Sequence, residues 1–350
     1  MQIYVDTATL RDNILRIKED IGGGRLIFEV KADGYGHGTA ACARAVRDLA
    51  DGFQTACVGE AEVLTKAGIE KDILISAFLP KECAAIVRNG YVATVYGIEQ
   101  LAILEYFCRT ENKTAKVQIK IDTGMNRLGV KDINSFLTLH SYISNSKRLK
   151  LDGIYSHIHT PELKSMNKQA EEFERYFKET DGKNAHLYSS FPLYKALGAG
   201  REIYGGARIG LAAYCPRAVG LAGKPVMAVK AAAILKKNIK SGETIGYDAI
   251  FKAEKNIEIA VIMGGYNDGI RRAMAGGNVI VNGTPCKILA VCMDMTIIDV
   301  TDVKGALREA VIMGEANDAA YWATHCNTIP YEILTGFSGK RNKRFYSDNV

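Results

Sequence analysis

The strongest constraint on this chain is an alternation. Short apolar runs recur at residues 26–30, 55–58, 73–77, 92–95, 116–121, 151–156, 185–188 and 207–209, with amphipathic stretches such as 39–49, 60–67, 81–87 and 98–107 between them. Runs of that length, rich in β-branched residues, read as buried strands, and the spacing between them reads as helix. Eight such units in roughly 200 residues predict an α/β fold whose N-terminal part is a (β/α)8 TIM-like barrel. A doubly wound open sheet fits the same alternation, but no G-x-G-x-x-G turn follows the first strand.

Past Leu221-Ala222-Gly223-Lys224-Pro225 the pattern changes. Apolar runs at 226–235, 257–263, 278–281, 287–291, 296–300 and 310–312 are separated by Gly, Asn and Asp turns rather than by long helices. A C-terminal, mainly β domain is therefore expected, with residues 1–222 forming the barrel and 223–350 the β-rich domain. No apolar run approaches the ~20 residues of a membrane helix, and the N-terminus lacks a signal-peptide core, so a cytoplasmic protein without membrane contact is expected. The net charge of +6 is spread along the chain, apart from Lys340-Arg341-Asn342-Lys343-Arg344, which reads as a solvated segment rather than a nucleic-acid site. Eight cysteines without C-x-x-C spacing and six histidines without ligand spacing predict reduced thiols and no metal.

The first strand ends in Lys31 and opens on Ala32-Asp33-Gly34-Tyr35-Gly36-His37-Gly38. A lysine there is costly unless it is paired or chemically used. Its best-known use is a Schiff base with an aldehyde cofactor; a lysine snorkelling from the strand end is the structural alternative. Barrel enzymes carry their reactive groups at the C-terminal ends of the strands. Here residues 122–127 follow the fifth strand, His157 ends the sixth, Ser189-Ser190 follow the seventh, and Arg208 lies in the eighth ahead of Gly210-Leu211. Polar sets at successive strand ends make a site.

Val30-Lys31-Ala32-Asp33-Gly34-Tyr35-Gly36-His37-Gly38 resembles the pyridoxal-phosphate attachment motif of the alanine racemase family. Lys120-Ile121-Asp122-Thr123-Gly124-Met125-Asn126-Arg127-Leu128-Gly129 resembles its second signature, and Gly246-Tyr247-Asp248 and Cys292-Met293-Asp294 resemble motifs of its β domain. The resemblance spans nearly the whole chain. It implies a homodimer paired head to tail, each active site completed by the partner's β domain, that racemises a small amino acid, L-alanine to D-alanine, on pyridoxal 5'-phosphate. Two catalytic groups follow from it: Lys31, which would also hold the cofactor, and the partner's Tyr247 on the opposite face.

The resemblance further implies that Tyr35, Ser190, Gly210, Leu211 and Tyr266 bind the phosphate and that Arg208 meets the ring nitrogen. His157 and His186 would buttress the tyrosine and the arginine. Arg127 and Met293, with Asp294 beside it, would meet the substrate carboxylate, and Lys120 corresponds to a lysine that is carbamylated in some members. Gly339 falls where many members carry an entryway tyrosine, which implies a wider gate and makes a serine or broad-specificity racemase the alternative. A non-catalytic pyridoxal-phosphate carrier is a further alternative, but such carriers consist of the barrel alone.

Overall fold

A computed structural model describes residues 1–160, 162–180, 184–339 and 341–347, so Lys340 of the basic run lies outside the described residues. Eight parallel strands close into a barrel in chain order: Arg25–Glu29, Gly52–Thr55, Ile73–Ile75, Val92–Val95, Ala115–Lys120, Leu149–Tyr155, His186–Ser189 and Gly206–Ile209. Pairing of residues 25–28 with 206–209 shuts the ring. The second strand lies three residues earlier than the expected 55–58, and Val58 instead opens the helix Val58–Lys66. β-Branched Thr55 and Val58 suit a strand by composition, but Val58 is buried as the first residue of a helix. The ladder uses Gly52, opposite Ile27, where a side chain would press on the carbonyl of Asp72.

The helices Thr39–Val46, Val58–Lys66, Cys83–Asn89 and Ile98–Thr110 occupy the expected stretches, and Ile133–Asn145, Leu163–Phe177 and Ser190–Gly198 complete the ring. Each packs an apolar stripe inward. Ile98–Thr110 buries Leu101, Leu104 and Cys108, three and four residues apart, and Ile133–Asn145 buries Phe136, Leu139 and Ile143 behind an Asp132 cap. Burying one such large side chain stabilises the fold by about 1.5–3 kcal/mol.

The chain divides into two compact units, one comprising Ile14–Gly34 and Cys42–Ala212, the other Met1–Asn13, Tyr35–Ala41 and Ala213–Val350. The second unit holds a sheet of eight strands in the order Ile257–Met263, Met295–Asp299, Thr284–Val291, Asn278–Val281, Glu309–Met313, Met227–Ile239, Gln2–Val5 and Lys343–Tyr346. All six expected C-terminal strands are present. Met227–Ile239 is long enough to pair with Glu309–Met313 along its first part and with Ile257–Met263 along its second, bending at a bulge between Ala233 and Leu235. The strand Gln2–Val5 runs antiparallel to residues 227–230, so the start of the chain is part of this sheet. No helix among the described residues is long and apolar enough to cross a membrane.

Candidate active site

The strand Arg25–Glu29 is buried along almost its whole length and delivers Lys31 just beyond its end. The chain then makes a left-handed turn, with Ala32 at φ 52°, Asp33 at 54°, Gly34 at 58° and Tyr35 at 53°. Only one of those residues is glycine, and each L-residue in this conformation costs about 1–2 kcal/mol. Contacts that hold the turn in place include Gly34 N–H, which donates to the carbonyl of Val30 at 2.9 Å, and Ala32 N–H, which donates to Glu60 Oε1 at 2.7 Å. The other oxygen of Glu60 accepts from Ala56 N–H at 2.8 Å, so one carboxylate ties the first turn to the second.

Lys31 lines a cavity of about 300 Å3 at the strand ends, together with Lys120, Arg127, His157, Arg208, Tyr155 and Glu29. Four of these seven side chains carry a cationic group and one a carboxylate. Glu29 Oε2 lies 2.9 Å from Lys31 Nζ, and Glu29 Oε1 lies 3.9 Å from Arg208 Nε. Arg208 also donates to acceptors: Nη1 to His186 Nδ1 at 2.6 Å, and Nη2 to the carbonyl of Ser156 at 2.7 Å and to His157 Nδ1 at 3.2 Å. Burial, then the nearby charges of Arg208, Lys120, Lys31 and Arg127, push His157 down to about 2. Burial and the Arg208 charge hold His186 well below the ordinary histidine range. Both rings are therefore neutral acceptors at neutral pH.

Lys120 is buried, its Nζ 4.2 Å above the Tyr155 ring. Burial first, and the charges of Arg208 and Arg127 next, hold its amine well below the usual lysine range. Burial pushes the Tyr155 phenol up to about 12, and its hydroxyl is bonded to Thr94 Oγ1 at 2.8 Å. The loop that carries exposed Arg127 is shaped by Asp122 Oδ1, which accepts from Gly124 N–H and Asn126 N–H at 3.0 Å each.

At the end of the last two strands, Ser190 Oγ accepts from Gly210 N–H at 3.2 Å and from Ala212 N–H at 3.1 Å. A hydroxyl oxygen engaged by two donors has its own proton left to donate, which suits an anion. Leu211 is buried beside them.

The remaining sequence candidates lie in the other compact unit. Tyr35 packs against Tyr214 and Tyr331, with ring centroids 5.2 and 5.7 Å away. Tyr266 and the Met293-Asp294 turn are brought together by backbone bonds from Tyr266 N–H to Cys292 O and from Asn267 N–H to Met293 O, both 3.0 Å. Gly265 permits this, since a Cβ there would lie 2.2 Å from the Cys292 carbonyl. Tyr247 lines a small pocket with Cys292 and is 72% exposed, and Met293 is 56% exposed. Thus Lys31, Lys120, Arg127, His157, His186 and Arg208 assemble in the barrel, while Tyr247, Tyr266, Met293 and Asp294 gather on the β unit.

Sequence reasoning missed Glu29, Gln118 and Tyr155. Each stands two residues before a residue it did find, Lys31, Lys120 and His157 respectively. Period-two alternation, which puts i and i−2 on one strand face, could have found them.

Residues 5–217 match the description "Alanine racemase, N-terminal domain", and residues 226–346 match "Alanine racemase, C-terminal domain". An alanine racemase of Borreliella burgdorferi is 31% identical, over 99% of this chain and 97% of its own. One from Pseudomonas syringae pv. syringae is 32% identical, over 99% and 98%. Among solved structures, alanine racemase from D-cycloserine-producing Streptomyces lavendulae superposes with a TM-score of 0.91 at 26% identity, covering 100% of this chain and 97% of that one. The Bacillus anthracis enzyme with bound L-Ala-P gives 0.88 at 26% identity, covering 99% and 95%.

Proposed function

The chain belongs to the alanine racemase family, a family of pyridoxal-phosphate-dependent enzymes that interconvert L- and D-alanine, and from that premise we propose how its residues divide the work. The observation that carries the proposal is the strand-end Lys31 facing a cavity lined by Lys120, Arg127 and Arg208 and by a single carboxylate, Glu29. Such a donor set suits a ligand that brings its own negative charge, as the phosphate of the cofactor and the carboxylate of an amino acid both do.

Lys31 Nζ would hold pyridoxal phosphate, Arg208 would face its ring nitrogen, and Tyr35, Ser190, Gly210, Leu211 and Tyr266 would receive the phosphate. When bound, the cofactor supplies a sink for the electron pair left on the substrate α-carbon as its proton departs. Once the substrate's own amine has taken its place on the cofactor, Lys31 Nζ would be free to exchange that proton on one side, and the partner's Tyr247 hydroxyl would exchange one on the other, since inversion requires two groups on opposite faces. Arg208 keeps its proton, being a guanidinium surrounded by acceptors, and so donates to the ring nitrogen without protonating it. Arg127, with Met293 and Asp294 of the partner's β domain, orients the substrate carboxylate. Large apolar side chains exposed on the β unit, Tyr247, Ile250, Met263, Met293 and Met295, support a face that pairs with a second copy.

The test is the purified holoenzyme given L-alanine, with products separated by chiral chromatography. D-alanine should accumulate to the racemic mixture, and borohydride reduction should fix the cofactor on Lys31. A reduced adduct on another lysine would overturn the assignment. A second reading, activity on serine or larger side chains, is favoured by Gly339, where a side chain would start 3.6 Å from the Asn267 carbonyl, next to Tyr266. One methyl-sized change in a pocket is worth only about 1–3 kcal/mol. Gly339→Tyr should therefore lower serine turnover more than alanine turnover, and equal effects would remove this reading.

A further inference from the structure

Behind Arg208 lies a chain of polar contacts that the assigned roles do not use. His186 Nε2 meets Gln118 Oε1 at 2.8 Å, and Gln118 Nε2 donates to Asp152 Oδ2 at 2.7 Å. Gln118 and His186 are buried, 3% and 1% exposed, so neither can turn to water for a partner. Asp152 reaches Gln118 because it is the extra residue of a β-bulge: Val117 pairs with Leu151, but Gln118 pairs with Gly153. The second Asp152 oxygen accepts from Asn184 Nδ2 at 3.4 Å.

These contacts leave little choice of orientation. A carboxylate accepts and cannot donate, so the amide nitrogen of Gln118 must face Asp152 and its oxygen must face the imidazole. The imidazole must then carry its proton on Nε2. Its Nδ1 is left with a lone pair, and that lone pair receives Arg208 Nη1–H at 2.6 Å. Protonation of Nδ1 would set one N–H against another. The opposite tautomer would give Arg208 no acceptor on the ring and Gln118 two opposed oxygen and nitrogen lone pairs. The ring is also stacked on Tyr155, with centroids 4.8 Å apart and planes 20° apart, so it cannot swing away to relieve either clash. The charges acting on it from the packed elements are those of Arg208, Lys120 and Arg25.

We propose that Gln118 and Asp152 are positioning residues that fix His186 in its Nε2–H tautomer and thereby hold Arg208 in the orientation it presents to the cavity. The functional half of this rests on the proposed role of Arg208 toward the cofactor ring; the tautomer half does not. Asp152 sets the amide, the amide sets the imidazole, and the imidazole sets the guanidinium.

The test reads the tautomer directly, by long-range 1H–15N correlation spectra of histidine-labelled holoenzyme, with His186 assigned by its loss in His186→Gln. The wild type should show protonated Nε2 and bare Nδ1. Gln118→Met, similar in volume but without the amide, and Asp152→Leu should each yield a mixture of tautomers. Each should also lower kcat for alanine about tenfold with KM changed less than twofold. Asp152→Asn, whose amide oxygen can still accept from Gln118, should restore both the single tautomer and most of kcat. If Gln118→Met fails to fold, the Asp152→Leu and Asp152→Asn pair decides the matter. A wild-type Nδ1–H tautomer, or a pure Nε2–H pattern surviving in Gln118→Met and Asp152→Leu, would overturn the proposal. A shifted tautomer with kcat unchanged would leave the relay standing and overturn the role given to Arg208.

Discussion

At the residue scale, the barrel site depends on side chains kept neutral among cations. His157 is pushed down to about 2, chiefly by burial, against about 6.5 for an unfolded histidine. Below about pH 6.5 the unfolded chain takes up a proton that the folded chain refuses, so stability is fully present above that value and is lost as pH falls. His186 adds to the loss with the same sign. The urea midpoint of the holoenzyme should be level above neutrality and fall between pH 6.5 and 4, and His157→Gln should flatten that fall. An identical slope in the variant would show that the histidine does not contribute. Lys120 raises a chemical prediction. Burial and the charges of Arg208 and Arg127 shift its amine toward the unprotonated form, the form that adds to carbon dioxide to give a carbamate and one released proton. The new negative charge would sit beside Arg208 and Arg127, whose charges already act on this amine. With 13C-bicarbonate the wild type should show a carbamate carbon resonance that Lys120→Met lacks. Its absence from the wild type would leave Lys120 an ordinary buried amine.

At the element scale, the turn after the first strand holds strain where the cofactor would attach. Ala32, Asp33 and Tyr35 all sit in the left-handed region, and Glu60 from the helix Val58–Lys66 holds the backbone there. Ala32→Gly removes the Cβ from an unfavourable conformation but frees the unfolded chain, so the net gain should be roughly 0.5–1 kcal/mol in unfolding free energy. Urea denaturation measures it, and a loss of stability would mean the turn is not strained at Ala32. The aspartate that shapes the Arg127 loop and the Asp132 cap of the next helix show the same economy on a smaller scale. In each, one carboxylate satisfies backbone donors that would otherwise be orphaned.

At the scale of the whole molecule, the two proposed catalytic groups belong to different compact units, Lys31 to the barrel unit and Tyr247 to the β unit. If two copies exchange β faces, a dimer of one Lys31→Ala chain and one Tyr247→Phe chain has one doubly damaged site and one intact site. Each parent alone should be inactive. After exchange at equal amounts, activity should return to roughly a quarter of the wild-type level, because half of the randomly assembled dimers are hybrids with one working site of two. Sedimentation would confirm the exchange. No recovery from exchanged dimers would place both groups within one chain.

Much of the molecule was legible before folding. Burial leaves a periodic trace in the chain itself, so the barrel, the later β-rich segment, the strand-end positions of Lys31 and His157 and the place of Arg208 within the eighth strand could be read from local pattern and motif alone. What only the tertiary structure decided is whatever depends on two distant segments meeting. Period-two spacing could place Glu29, Gln118 and Tyr155 on the faces of Lys31, Lys120 and His157, but that Gln118 meets His186 and Tyr155 meets Thr94 is decided only when the ring closes. Asp152 becomes a support only through a bulge, and residues 2–5 become a strand only because residues 227–230 offer an edge. Hydrogen bonding between elements, unlike hydrophobic period, has no signature within a single segment.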